Sequence, residues 1–306
     1  MIIPVIICVS FLIFFIMEQA AGDPVLMINP DATGETYEVL KKELGYDRPL
    51  VYRYGAYMVD MLRGDLGTSL TLKKPVWDVY MECLPATAML ALGAVIVSHL
   101  ISIPLGIISA VKNGTIVDNT SMVLALLGLS MPNFWLGLLL IILFALKLRW
   151  FPSYTAAVTL KSLILPAITV GTGHTALLTR TTRSSMVDTI RKDYLRTARA
   201  KGVPERRVIT KHALKNALIP IVTISGTQFA GILGGAVLTE TVFAWPGVGR
   251  MIVYAIGYRD VPLATGFIVM TTILSSFVLL FVDILYAYID PRIKAQYTRQ
   301  RRKNTE

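Results

Sequence analysis

Four ionisable side chains stand in or beside stretches of this 306-residue sequence that are otherwise almost free of charge: His99, His174, Glu240 and Asp283. A carboxylate or imidazole inside an apolar run is costly to bury, so such groups mark proton relays, ion paths or paired structural contacts. Asp283 could serve a path, or pair with a basic side chain or backbone donors between helices. Glu240, with the Phe243–Gly249 turn that carries Phe243 and Trp245, could shape a gate, or be a carboxylate held by local amides. His174 lies between Gly173 and Thr175, small residues that allow close helix packing. It could line a polar path, bind a metal, or hydrogen-bond as a packing residue. His99 reads as a packing residue, and so do Cys8 and Cys83, which lack a ligand-like partner by spacing.

No catalytic arrangement joins these groups. The sequence has no Ser-His-Asp, His-Glu-x-x-His or paired-carboxylate pattern in its apolar runs. It also lacks the Gly-x-x-x-x-Gly-Lys-Ser/Thr phosphate loop, so hydrolysis of ATP by this chain is not expected. Residues 18–83 carry many acids, but not the Asp-x-Asp-x-Asp-Gly spacing of a calcium loop. The methionines are dispersed, with no Met-x-x-Met run. The expectation is a chain with no covalent chemistry and no metal of its own.

The elements that hold these residues are apolar helices. Hydrophobic residues make up 54% of the chain and charged ones 16%, with a mean hydropathy of +0.59. Soluble domains carry about 25% charged residues, so a soluble enzyme, a disordered chain and a charged solenoid are disfavoured. Two cysteines cannot build a disulfide framework. Apolar runs cover residues 1–17, 84–111, 121–146 (interrupted by Pro132), 162–178, 217–238 and 264–289. Most are long enough to cross about 30 Å of hydrocarbon, and six crossings are the economical reading. Proline and glycine inside them do not refute it. No basic region precedes Ile2, and Gln19-Ala20-Ala21 is a weak cleavage site, so the first run reads as a retained helix. A start at Met1 would leave a charged amino terminus near the bilayer, which allows a natural start upstream.

Charge orients the helices. The net +10 could suggest nucleic acid, but its distribution answers otherwise. Residues 18–83 hold seven basic and eleven acidic side chains, residues 179–215 eleven and three, and residues 290–306 six and two. Basic connections stay cytoplasmic, so both termini and 179–215 are expected inside and the long acidic loop outside. Trp150, Tyr154, Trp245, Tyr254 and Tyr258 suit the outer headgroup belt, while Tyr286 and Tyr288 mark the inner exit. The charge is topological, and no nucleic-acid partner is expected.

The basic stretch 187–217 reads as two short amphipathic helices with a sharp break. Val187, Ile190, Tyr194 and Ala198 recur at helical spacing; Gly202 offers a left-handed cap and Pro204 a first helical position. Ile209, Ala213 and Ala217 then line up opposite Arg207, Lys211 and Lys215.

Here the sequence resembles a family. Residues Arg196-Thr-Ala-Arg-Ala-Lys-Gly-Val-Pro-Glu205, followed by His212-Ala-Leu-Lys-Asn-Ala-Leu-Ile-Pro220, are similar to the cytoplasmic EAA loop of binding-protein-dependent ABC importer permeases. The closest branch imports dipeptides, oligopeptides, nickel and glutathione. Gly22-Asp-Pro24, Leu44-Gly-Tyr-Asp-Arg-Pro49, Gly64-Asp-Leu-Gly-Thr-Ser69, Glu240-Thr-Val-Phe-Ala-Trp-Pro-Gly-Val-Gly249 and Val282-Asp-Ile-Leu-Tyr-Ala-Tyr-Ile-Asp-Pro291 resemble the same branch, so nearly the whole chain is covered. Two departures concern subclass. Arg196-Thr197-Ala198 stands where the general loop begins Glu-Ala-Ala, and His212 and Lys215 stand where many relatives have an apolar residue and a proline.

The resemblance implies an all-α integral membrane protein of six helices, with type I importer architecture and a cytoplasmic coupling helix. Residues 1–17 would be the first membrane helix, 18–83 the outer loop, 84–289 the five-helix permease domain and 290–306 a basic cytoplasmic tail. Arg196, Thr197, Ala198, Ala200, Gly202, Val203, Pro204 and Glu205 would grip an ATPase; His174, Glu240, Phe243, Trp245 and Asp283 are the candidates for pathway or gate. The implied partners are a second permease subunit, two cytoplasmic ATPases that use ATP and magnesium, an extracytoplasmic binding protein and the bilayer of a bacterial or archaeal plasma membrane. Short peptides are the expected cargo, with nickel, glutathione or another small solute as the alternative. An ion-driven secondary transporter would show duplicated halves, and none is found.

Overall fold

The computed structural model describes residues 2–20, 25–26, 29, 31–43, 45–155, 157–234 and 236–289; the Gly22–Pro24 motif and the 290–306 tail lie outside them. Among the described residues every regular element is helical, apart from one isolated bridge between Thr68 and Pro75. In chain order they are α1 (Ile2–Ala20), α2 (Gly34–Glu43), α3 (Leu50–Leu62), α4 (Val76–Val111), α5 (Ile116–Ser130), α6 (Asn133–Lys147), α7 (Leu160–Ile190), α8 (Asp193–Ala200), α9 (Glu205–Leu233), α10 (Val237–Val242), α11 (Val248–Gly257) and α12 (Val261–Ile289).

Four of these, α4, α7, α9 and α12, are each long and apolar enough to cross a bilayer. The run with Pro132 is two helices bent by 90°, α5 and α6, which make a fifth crossing if taken together. The cause is local. Met131 and Pro132 are both extended, and a proline disfavours helix in the residue before it. A sixth crossing would fall to α1, whose apolar stretch Pro4–Met17 is shorter than a full span. Pro166 and Pro220 sit inside uninterrupted helices. Helix α4 starts at Val76, eight residues before the apolar run, so part of the expected outer loop is helix. At about 1.5 Å per residue its 36 residues outreach the hydrocarbon.

The chain divides into two compact units: residues 1–88 with 233–276, and residues 89–232 with 277–306. In the first, Val76, Val79, Tyr80, Leu263, Ala264 and Phe267 form a buried core with Val248 and Ala255, and Tyr80 meets Phe267 edge-on at 5.1 Å. A β-carbon on Gly266 would come within 2.6 Å of Val76, so this close approach requires glycine. Asp260, fully buried before α12, accepts from Ser69 Oγ (2.6 Å), Thr71 N–H (2.9 Å) and Thr71 Oγ1 (2.8 Å), which clasps the 65–75 loop to that helix.

In the second unit α7 is the central element, packed against α5 and α6. Its start is set by a capping box, Thr159 accepting from the Ser162 amide and Ser162 from the Thr159 amide. Small residues then let neighbours approach: a β-carbon on Gly173 would stand 2.7 Å from Asn133 Oδ1, and one on Gly171 2.7 Å from the Ala94 carbonyl.

Candidate functional site

The basic stretch folds as a hairpin on a small core. Helix α7 ends at Ile190, two residues turn, and α8 begins at Asp193, so the single helical period over 187–198 is in fact broken at Arg191-Lys192. Helix α8 ends in a Schellman motif. Val203 N–H donates to the Ala198 carbonyl (3.2 Å) and Gly202 N–H to that of Arg199 (2.9 Å), with Gly202 at φ +76°. Pro204 caps the following helix from outside; its first helical residue is Glu205. Arg199 grips Glu205 across the turn through two hydrogen bonds, Nε to Oε2 at 3.0 Å and Nη2 to Oε1 at 2.9 Å. Asn216 Nδ2 donates to Tyr194 Oη at 2.6 Å, tying the second limb to the first.

The two faces of the hairpin differ in kind. Leu195, Val208, Ile209, Ala213 and Ala217 are buried together with Met186 of α7 and Ala110 of α4, and Ala198 and Val203 pack against them. A π-helical turn over Val208–Ala213 adds one residue per turn, which brings Val208 inward beside the expected Ile209, Ala213 and Ala217. Facing out are Asp193, Arg196, Thr197, Ala200 and Lys201, spaced 3, 1, 3 and 1 along one side of α8. Of the named coupling residues, Arg196, Thr197, Ala200, Gly202, Pro204 and Glu205 are exposed, whereas Ala198 and Val203 serve the core. Arg207, Lys211 and Lys215 are exposed as expected.

An ion pair that sequence reasoning missed fixes the lower part of α7. Asp118 is 2% exposed and takes both Arg183 Nε on Oδ1 and Arg183 Nη2 on Oδ2, each at 2.7 Å. Ser109 Oγ and the Gly114 amide (2.9 Å) complete its coordination, and Arg183 also donates to Asn113 Oδ1 at 2.7 Å. The carboxylate thus joins the end of α4, the start of α5 and α7. The signal available was Thr115-x-x-Asp118, a helix-start pattern whose hydroxyl does cap α5.

The gate candidates separate. Glu240, Phe243 and Trp245 come together in one buried knot of the first unit. Thr87 Oγ1 donates to Glu240 Oε1 (2.8 Å) and the Arg250 amide to Oε2 (2.9 Å), while the Val248 amide donates to Thr87 (2.8 Å). Trp245 Nε1 donates to the Ala86 carbonyl at 2.8 Å. Burial pushes the Glu240 carboxyl above its ordinary range, against the pull of these donors. A β-carbon on Gly247 would run into the Glu240 carboxylate and one on Gly249 into Val237, which accounts for both glycines of the motif. His174 and Asp283 belong to the other unit. The His174 ring is half-buried and makes no hydrogen bond among the described residues, though its carbonyl accepts from Gln228 Nε2 at 3.1 Å. Asp283 is exposed, with no ion pair among the described residues. His99 is a packing residue in fact: Nδ1 lies 2.7 Å from the Val95 carbonyl and Nε2 2.6 Å from Ser225 Oγ, joining α4 to α9. Cys83 is buried and Cys8 exposed.

Comparison with known proteins places this geometry. Residues 102–295 match the model of the family described as binding-protein-dependent transport system inner membrane component. The chain is 42% identical to the dipeptide transport system permease protein DppB of Alkalihalophilus pseudofirmus, over 96% of this chain and 97% of that one. It is 39% identical to the glutathione transport system permease protein GsiC of Escherichia coli, over 95% of each, and 39% identical to the oligopeptide transport system permease protein AppB of Bacillus subtilis, over 95% and 96%. Among solved structures, a chain of the MetNI methionine ABC transporter in an inward facing conformation matches with a TM-score of 0.56 at 18% identity, over 69% of this chain and 96% of that one; this likeness concerns the fold.

Proposed function

This chain belongs to the family of binding-protein-dependent transport system inner membrane components, and we propose that it is one of two permease subunits of an ATP-driven ABC importer of short peptides. Dipeptide and oligopeptide permeases among the relatives support that cargo; the glutathione permease keeps glutathione, itself a small peptide, within the same reading. Nickel or another small solute is the alternative. The chain crosses the plasma or inner membrane six times, with α1 and the bent α5–α6 pair each counted once, and keeps both termini cytoplasmic.

The observation that carries this reading is the hairpin at Asp193–Ala213. Its inner face is anchored on α4, α7 and α9, and its outer face offers a basic, small-residue surface. A soluble ATPase that grips Arg196, Thr197, Ala200 and the Gly202–Glu205 turn would move those helices as levers. ATP with magnesium closes the two ATPases; the hairpins carry that closure to the membrane helices as rigid bodies, and the pathway opens outward to a binding protein. No bond in the cargo is made or broken by this chain.

Replacing Gly202 by valine tests the assignment. Valine at φ +76° is a β-branched residue in a left-handed conformation, which distorts the turn while leaving the buried inner face in place. The expected result is loss of co-purifying ATPase and of peptide uptake in proteoliposomes. Retention of both refutes the coupling assignment.

A further inference from the structure

The first unit contains a cavity of about 350 Å³ that the transport reading leaves without a task. Its size lies within the range of small-molecule sites, about 300–1,000 Å³. Its polar wall consists of Tyr46, Arg48, Tyr52, Arg53, Tyr57 and Asp60, supplied by α3 and the turn before it; Phe14, Leu66 and Val261 make it apolar elsewhere. Both guanidinium groups lie over rings. Arg48 lies 4.8 Å from the Tyr52 centroid and donates Nη1 to Tyr52 Oη at 2.8 Å, and Arg53 lies 4.5 Å from the Tyr46 centroid. One donated bond leaves Arg48 four further N–H donors in a fixed fork. Asp60 is exposed on the same helix and has no ion pair among the described residues.

Tyr57 supplies the observation that points to a ligand. Its ring packs on Phe14 at 5.8 Å, and its hydroxyl is buried with no partner among the described residues. Burial, and the neighbouring Tyr54, push the phenol well above its ordinary value, so it remains a neutral donor. An unmet hydroxyl, a cation with donors to spare and an unpaired carboxylate around an aromatic-lined hollow are complementary to a small zwitterion with an apolar body.

We propose that this cavity is a docking site for a short peptide with free ends, its carboxylate on Arg48, its ammonium on Asp60, its peptide carbonyl accepting from the Tyr57 hydroxyl and an apolar side chain against Phe14. This rests on the peptide reading given above and assigns the chain a peptide contact of its own, in the outer segment. A zwitterionic lipid headgroup shares the chemistry, and the experiment separates the two.

The full chain, in nanodiscs of phosphatidylcholine and phosphatidylglycerol, is titrated calorimetrically with alanyl-phenylalanine, with its N-acetyl form and with its C-terminal amide. Saturable binding of the free dipeptide is expected, weakened about ten-fold by either cap, the loss of one charge-assisted contact. Asp60→Asn should abolish the preference over the N-acetyl form alone, and Arg48→Gln the preference over the amide alone. Tyr57→Phe should weaken all three ligands about equally. Absence of saturable binding by chain that elutes as a single species, or preferences unchanged in both variants, overturns the proposal. So does binding that ignores the caps and disappears when phosphatidylethanolamine replaces phosphatidylcholine, which assigns the cavity to a headgroup. Peptide uptake by the assembled importer is measured in parallel: uptake without dipeptide binding sinks the cavity and leaves the function standing, whereas capped-ligand discrimination without uptake sinks the function and supports the cavity.

Discussion

Asp118 and Glu240 pose the same problem, a carboxylate removed from water, and the two units of this chain solve it differently. In the second unit Asp118 is met by a guanidinium in bidentate geometry, with a hydroxyl and an amide on its remaining lone pairs. In the first unit Glu240 has no cation on its oxygens among the described residues; a threonine hydroxyl and a backbone amide hold it. The first solution needs charge on both sides, whereas the second needs only neutral donors facing an acceptor at position 240. Removing the charge should therefore harm one site far more than the other.

The largest effect is expected at the ion pair. Asp118→Leu leaves Arg183, 31% exposed, without its counter-charge and strands the Ser109 hydroxyl and the Gly114 amide, a loss of about 3–4 kcal/mol in all. Asp118→Leu combined with Arg183→Met removes both charges and should recover the part of that loss due to the unpaired guanidinium. Thermal unfolding of the four chains (wild type, each single change and the double) in nanodiscs measures the coupling. A double variant as unstable as the worse single one would show that the pair is not what the site requires.

Glu240 should respond less and in a different order. Glu240→Ala strands the Arg250 amide and the Thr87 hydroxyl in a dry site and is expected to cost about 3 kcal/mol. Glu240→Gln keeps an acceptor and, with Thr87 turned to accept from the new amide, should cost about 1 kcal/mol. The pH dependence follows from the raised carboxyl. A group whose folded value lies above its unfolded one adds stability when protonated, and that stability is complete below the ordinary glutamate range. It is lost as pH rises through the raised folded value. Wild type should gain on Glu240→Gln as pH falls toward that range, as read from unfolding midpoints. An equal response of the two chains removes burial as the dominant influence on this carboxyl.

The contrast also explains what could be read from the residues alone. Gly202 followed by Pro204 names a turn because only a few backbone conformations satisfy both, and the Schellman motif is there. The glycines of the Glu240 motif were visible as pattern, but their reason, collision with a carboxylate folded back on them, is tertiary. Nothing in the spacing joins Asp118 to Arg183, because that partner stands 65 residues away on α7. Pro132 announced a break but not a 90° bend, since direction depends on what α6 packs against. The π-turn at Val208–Ala213 has no signature in the apolar period; it becomes visible only when Val208 and Ile209 are both found buried.

The smallest expected change in stability is at the third carboxylate contact, Arg199 with Glu205, and it is the most informative about the hairpin. Both side chains are substantially exposed, 34% and 57%, so screening by water limits the pair to roughly 0.5 kcal/mol despite its two-point geometry. Arg199→Ala should therefore leave the unfolding midpoint of the chain almost unchanged. The same bonds nonetheless cross the Gly202 turn and set the angle at which the second limb leaves the first. If that angle positions an ATPase, Arg199→Ala should lower peptide-stimulated ATP hydrolysis by the assembled importer several-fold, and Glu205→Gln, which keeps one accepting oxygen, should lower it less. Equal activity in all three chains would mean that the turn is held by its backbone alone, and that the Schellman bonds around Gly202 suffice to fix the hairpin.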